Sequence, residues 1–178
     1  MKGVFDVSGS SQYDDYIAER YHFPVQYLPY AREVVGDWIV YRETRAKRGR
    51  MAYIAVARVE RIDPDPADAS HYYARVSAYL EFDRPIRYRD TKGRFAERVL
   101  REMARPADAG RTLRGSSVRL LDSDDFVAIV EAGLVETLAP KNRIRLELDP
   151  ARLDSQTETL LRAPPTERRI EQILANRM

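Results

Sequence analysis

Apolar and polar positions alternate most regularly between residues 34 and 88, and the alternation predicts long β-strands. Trp38 to Glu43 alternates and is rich in β-branched and aromatic residues, as a strand should be. From Met51 to Ile62, Ala52, Ile54 and Val56 fall on one face, and Tyr53, Ala55 and Ala57 fall on the other. Two such faces predict a central strand covered on both sides, or one curving into a barrel. His71 to Phe82 sets Tyr72, Ala74, Val76, Ala78, Leu80 and Phe82 on an apolar face, and Tyr73, Arg75, Ser77, Tyr79 and Glu81 on a polar-aromatic one. Asp83-Arg84-Pro85 should break this strand, with Ile86-Arg87-Tyr88 continuing it after a bulge. Between the strands, Val35-Gly36-Asp37 reads as a turn in which Gly36 takes positive φ. Residues 44–50 read as a polar loop, and residues 63–70, with alternating Asp and Pro, as an acidic one.

Outside this block the period lengthens. Gly3 to Val7 is a short strand candidate, and residues 13–20 could form a helical turn. Tyr21 to Pro24 must leave that helix, because a residue before proline disfavours the helical region. Val25 to Val34 reads as a short helix with Tyr27, Leu28 and Ala31 inward. Gly93 to Ala104 has helical spacing through Phe95, Val99, Leu100 and Met103. Residues 106–121 read as mostly irregular, with a last strand near 117–120. Ser123 is a candidate N-cap for a helix carrying Phe126, Ile129, Val130 and Leu134, closed by Gly133. Residues 138–165 read as a linker, and Thr166 caps a final helix with a stripe of Ile170, Ile173 and Leu174. The predicted fold is α+β: a small, mostly antiparallel curved sheet or barrel with peripheral helices and a C-terminal helical extension. Residues 1–121 are expected to form the domain, and 122–178 a helical extension toward an effector domain absent from this chain.

Charge changes this picture locally rather than globally. The chain has 178 residues, and 30 Lys and Arg against 28 Asp and Glu leave a net charge of +2. That balance does not by itself imply nucleic acid. The distribution is uneven, however, with cations gathered in the 42–50 loop region and acids at Asp14-Asp15 and in the 63–68 and 122–125 segments. With no cysteine, disulfides and thiolate metal sites are excluded. No apolar run approaches a membrane-spanning length and the N-terminus has no signal-like segment, so a soluble cytoplasmic protein is expected. No cofactor is expected either.

Two groups of residues suggest chemistry. Tyr13, Tyr21, His22, Phe23, Trp38, Tyr41 and Tyr53 are aromatics near one another in sequence, and could give the stacking faces and edge donors that an extruded base requires. Arg42, Arg45, Lys47, Arg48 and Arg50 form a basic hairpin suited to phosphates. Tyrosines capping a barrel and a solvated loop would explain the same residues without a ligand. Asp63, Asp65 and Asp68 fit turn geometry better than a metal site. A hydrolase using Asp14, Asp15 or His22 as an acid–base group is the alternative from another functional class.

The segments Gly3–Asp6, Tyr13–Asp15, Tyr21–Pro24, Tyr27-Leu28, Val35–Arg42 and Ala52–Val59 resemble the N-terminal region of bacterial HNH restriction endonucleases. That region is similar to the PUA-like superfamily, which includes the EVE, YTH and SRA-type readers of modified bases. The resemblance implies a module that recognises modified bases in duplex DNA and targets a linked or separate nuclease. It places the start of such a nuclease near Asn176-Arg177. The nuclease chemistry itself is not expected in this chain: its histidines are His22 and His71 alone, neither in a metal-binding pattern, and it has no cysteine for a structural zinc.

Overall fold

A curled six-stranded sheet organises the molecule, with strand order β2-β5-β4-β3-β1-β6. The computed structural model describes residues 1–8, 16–46, 49–103, 105, 108–135 and 165–175. In chain order the elements are β1 (Lys2–Val7), β2 (Arg20–Pro24), a 3-10 turn (Val25–Tyr27), α1 (Leu28–Glu33), β3 (Trp38–Glu43), β4 (Ala52–Pro64) and β5 (His71–Arg87). They continue with α2 (Arg98–Arg101), α3 (Ala109–Thr112), β6 (Val118–Leu121), α4 (Ser123–Gly133) and α5 (Pro165–Ala175). β1 runs parallel to β3, and the other neighbouring pairs are antiparallel. The α+β, mostly antiparallel architecture expected from the alternation is the one observed.

The sheet carries a core on each face. One holds Phe5, Tyr21, Phe23, Tyr41, Ala55, Ala57 and Val59 under α1. The other holds Val4, Trp38, Val40, Tyr53, Val56 and Leu80 under α4 and α5, which contribute Phe126, Ile129, Val130 and Ile170. The first half of β4, through Val59, is thus buried on both faces, as its two apolar faces predict. Gly36 takes φ +79°, and its backbone N–H donates to the Val59 carbonyl at 2.7 Å, which ties the turn to β4.

The single apolar face expected for residues 72–82 does not survive. Ala74 and Val76 face the α1 side, whereas Leu80 and Phe82 face the α4 side. The cause is a bulge. Ser77 pairs with Arg58 and Leu80 with Val56, so β5 uses one residue more than β4, and Ala78 takes φ +52° there. An extra residue reverses the alternation of every side chain beyond it. The break expected at 83–85 is also a bulge: Glu81 pairs with Ala55 and Ile86 with Tyr53, which leaves Pro85 in the unpaired stretch, where a missing donor costs nothing.

The helical pattern of 93–104 yields only one turn, α2. Arg89 instead bridges Phe95 across a small hairpin, and Glu97 is extended at φ −86°, ψ 128°. Tertiary demand overrides periodicity here, because the extended backbone delivers the Glu97 carboxylate to Arg119. Tyr21–Pro24 falls in the edge strand β2, paired with β5. The N-cap of α4 is Asp122, one residue earlier than expected, with its carboxylate accepting from the Asp124 N–H at 2.9 Å. The expected linker over 138–165 lies almost wholly outside the described residues. Among the described residues no helix is long and apolar enough to cross a membrane.

Candidate nucleic-acid interface

Two hairpin tips lie side by side at one end of the sheet. The β3–β4 connection is one. The other is the turn after β5, where Asp90 N–H donates to the Arg94 carbonyl at 2.9 Å and Ala96 N–H to the Tyr88 carbonyl at 3.0 Å. The Asp90 carboxylate accepts from the Lys92 and Arg94 N–H groups and so shapes this second tip. Tyr88 N–H donates to the Met51 carbonyl at 3.3 Å and joins the two. Among the described residues, the exposed cations at this end are Arg45, Arg50, Arg87, Lys92 and Arg94. Arg50 reaches Glu43 while remaining half exposed. The guanidinium of Arg89 lies 4.3 Å from the Phe95 ring centroid, which anchors the base of the second tip.

Of the five predicted phosphate ligands, Arg45 and Arg50 are on this surface, and Lys47 and Arg48 lie outside the described residues. Arg42 is elsewhere: it is buried, 5% exposed, and its Nε donates to Asp6 at 2.7 Å. It is therefore structural in this fold. The reason is strand alternation, since Arg42 points to the α4 side of β3 and meets Asp6 on the neighbouring β1. Sequence proximity to the loop concealed that orientation. Arg87, Lys92 and Arg94 were missed because they are separate in sequence from the basic loop, and Arg94 sits in the 93–104 segment whose period predicts a helix.

A cleft of about 210 Å³ borders the same loop. Tyr21, His22 and Tyr27 line it together with the polar side chains of Ser8, Gln26, Thr44 and Ser117. The Tyr21 hydroxyl donates to the Asp6 carbonyl at 2.8 Å, fixing the ring. Thr44 begins the basic loop, so cleft and cations are adjoining. The predicted aromatic group is divided by the sheet. Tyr21, Phe23 and Tyr41 belong to one core, and Trp38 and Tyr53 to the other. Trp38, Tyr41, Tyr53 and Phe23 are each at most 2% exposed, so none of these four presents a ring face to a ligand. Tyr13 lies outside the described residues, as do Asp14 and Asp15.

A buried polar network stands behind the cleft. Arg119 Nη1 donates to Asp6 at 3.0 Å, and its Nε to Glu97 at 2.8 Å, while the Tyr53 hydroxyl donates to Glu97 at 2.7 Å. Burial would raise the Glu97 carboxyl, but the hydrogen bond and charge of Arg119, with Tyr53, outweigh it and hold the group below its ordinary value. The Tyr53 phenol is pushed well up, first by burial and then by the Glu97 charge. This network fixes β6 to β1 and β3 in one register, and so positions the strand ends that frame the cleft.

On the opposite end of β5 the open sheet face carries a mixed aromatic and charged cluster. His22 stacks on Tyr73 with ring centroids 4.5 Å apart, and its Nε2 bonds Asp65 at 2.9 Å. His71 lies 4.9 Å from His22, ring to ring, and its Nδ1 bonds Asp68 at 2.6 Å. The Asp68 carboxyl is lowered to about 2, chiefly by the Ser70 hydroxyl that donates to it. Asp65 and Asp68 also accept from backbone N–H groups of Ala67 and Ser70, as turn residues do. Among the described residues no group of three or more His, Asp or Glu is placed to hold a metal ion.

No family model matches the chain, and no curated protein matches it. Among solved structures, the fold is similar to the NMR structure of Rpa0253 from Rhodopseudomonas palustris, with 17% identity over 78% of this chain and 94% of that one, at a TM-score of 0.49. It is also similar to the N-terminal domain of Staphylothermus marinus McrB, with 12% identity over 72% of this chain and 92% of that domain, at a TM-score of 0.48.

Proposed function

We propose that this chain is a DNA-binding module, which holds duplex DNA by its phosphates and reads a modified base beside them. The observation that carries the reading is the convergence of two hairpin tips bearing exposed Arg45, Arg50, Arg87, Lys92 and Arg94. Cations from separate sequence segments, gathered at one end, form an electrostatic footprint for a polyanion. The adjoining cleft supplies tyrosine walls and a rim of hydroxyl and amide groups, which suits the edge of a base. The likeness of the N-terminal segments to those of HNH endonucleases and PUA-like readers supports the same role: delivery of a linked or separate nuclease, with no cutting chemistry in this chain.

The test is duplex binding measured by fluorescence anisotropy across salt concentrations. Each phosphate contact contributes about −0.9 to the slope of log K against log salt. Replacing Arg45, Arg87 and Arg94 together by Ala should reduce the magnitude of that slope by about 2–3. An unchanged slope would remove the basic end from the interface. For the cleft, Gln26→Ala and Thr44→Ala should each narrow the preference for a modified over an unmodified duplex by about 1 kcal/mol. Equal loss on both duplexes would leave the cleft with no part in reading.

A further inference from the structure

Among the described residues two non-glycine residues take positive φ, Met51 at +54° and Ala78 at +52°. A side chain makes that conformation costly, and it persists only where the surroundings impose it. Each adjoins one member of a pair: Met51 follows Arg50, and Ala78 precedes Tyr79. The extra residue in β5 is what aims Tyr79. Continued alternation from Ala74 and Val76 would send its ring to the α4 side. Beyond the bulge it packs instead on the α1-side core, with its centroid 6.1 Å from that of Tyr41. The Tyr41 ring in turn lies 6.3 Å from Tyr21 in the cleft wall, so Tyr79 stands one ring away from the cleft. Unlike Tyr41, Tyr79 stays partly exposed, and its hydroxyl has no hydrogen-bond partner among the described residues. Bulges commonly re-aim a side chain beside a functional site.

Charges of both signs border the ring. Glu81 is two residues further on, on the same face of β5 and about 6.6 Å along the strand. It is exposed, and its carboxylate has no hydrogen-bond or ion-pair partner among the described residues. Burial raises the Tyr79 phenol, the Glu81 charge adds to this and the Arg50 guanidinium opposes it, which puts both charges within electrostatic range of the ring. The Arg50 side chain is 51% exposed and pairs with Glu43. The face is therefore mixed rather than basic, and a bare phosphate is not the ligand that fits it.

We infer that Tyr79, Glu81 and Arg50 form a stacking subsite for an unpaired base that carries an exocyclic amino group. The ring supplies a π face, which any base can stack on. Glu81 accepts from the amino group, and Arg50 donates to a ring nitrogen or carbonyl of the same base. Adenine, cytosine and guanine meet these needs. Thymine does not, because its one ring N–H lies between two carbonyl oxygens that repel a carboxylate. The inference rests on the DNA-binding reading above, and gives it the accessible ring that the buried Trp38, Tyr41 and Tyr53 do not supply.

The experiment uses the full chain and measures its affinity at low salt, by fluorescence anisotropy, for duplexes carrying one unpaired A, C, G or T. The wild type should bind the A, C and G forms more tightly than the T form. Tyr79→Ala should lose about 5- to 100-fold in affinity for those three, while Tyr79→Phe, which keeps the ring, retains most of it. Glu81→Gln should close the gap between A, C or G and T. That ratio is taken within one variant, so the simple removal of a charge does not move it. A gap that survives Glu81→Gln overturns the subsite, and so does a Tyr79→Ala protein that melts and binds every duplex as the wild type does. If Arg45/Arg87/Arg94→Ala lowers the salt slope while the Tyr79 and Glu81 variants change nothing, the subsite falls and the DNA-binding reading stands. If the wild type binds no duplex even at low salt, both fall.

Discussion

At the scale of single residues, the decisive positions are buried charges rather than exposed aromatics. Glu97 is 1% exposed and is held by Arg119 and Tyr53. Removing one partner from a buried ionic network leaves the others desolvated and unsatisfied, which costs about 3–5 kcal/mol. Glu97→Ala is therefore expected to lower stability by that amount in urea denaturation, and a loss under about 1 kcal/mol would show that water already satisfies Arg119. The same carboxylate links folding to pH. Its value in the folded protein lies below its ordinary one, so its contribution is complete above the unfolded value of about 4.3 and is lost as pH falls through the folded value. Thermal scans between about pH 5 and 3 should show the wild-type midpoint falling more steeply than that of Glu97→Gln, which has no proton to bind. Parallel falls would mean that other carboxylates carry the acid sensitivity.

At the scale of elements, what was legible follows from what alternation encodes. The paired strands β3 and β4, the positive φ of Gly36 and the helix over 123–133 all rest on local periodicity or on turn chemistry. The change of face along β5 does not, because Ala78 looks like any small apolar residue in a strand and gives no sign that it takes φ +52°. The aromatic pocket failed to assemble for a related reason: Trp38 and Tyr41 are three residues apart in an alternating strand, so they point to opposite faces. Tyr21 and His22, adjacent in β2, send their rings apart likewise, Tyr21 into the α1-side core and His22 onto Tyr73, although both border the cleft. Gly133 is instructive in another way. It reads as a helix stop, but it is not among the glycines with positive φ, and its α-carbon faces the Phe82 ring. A Cβ built there would stand 2.4 Å from a Phe82 ring carbon, so the glycine exists to bring α4 close to β5. Gly133→Ala is expected to destabilise by about 1–3 kcal/mol, as overpacking does, where a mere helix interior would gain from alanine. A rise in melting temperature would contradict the close-packing role.

At the scale of the molecule, the question is whether α5 belongs to the body that carries the interface. A proline-rich approach and a narrow apolar stripe suggest a helix that docks less tightly than the sheet. The packing supplies more than the stripe promised. Ile170 is fully buried among Trp38, Leu80 and α4 residues in one cluster, and the Thr166 hydroxyl donates to Glu131 of α4 at 3.1 Å. Glu167 pairs with Lys2 on β1, and Glu171 lies 3.6 Å from Arg58 on β4. None of these partners is near α5 in sequence, which is why the docking was not legible: a short helix is marginal alone and takes its stability from whatever its stripe meets. Two outcomes follow from two kinds of coupling. If α5 folds with the sheet, Ile170→Ala should lower global stability by about 2–5 kcal/mol, the range for emptying a filled core site. Amide protection over 168–175 should then match that of 52–59 in hydrogen exchange. If α5 opens by itself, the same substitution speeds exchange only within the helix, and the denaturation midpoint of the sheet stays where it was. The buried Ile170 and the Lys2 pair favour the first outcome. Unequal protection, with unaltered sheet stability in Ile170→Ala, would make α5 a separable arm, and the motion of any domain joined through it would then be independent of the sheet.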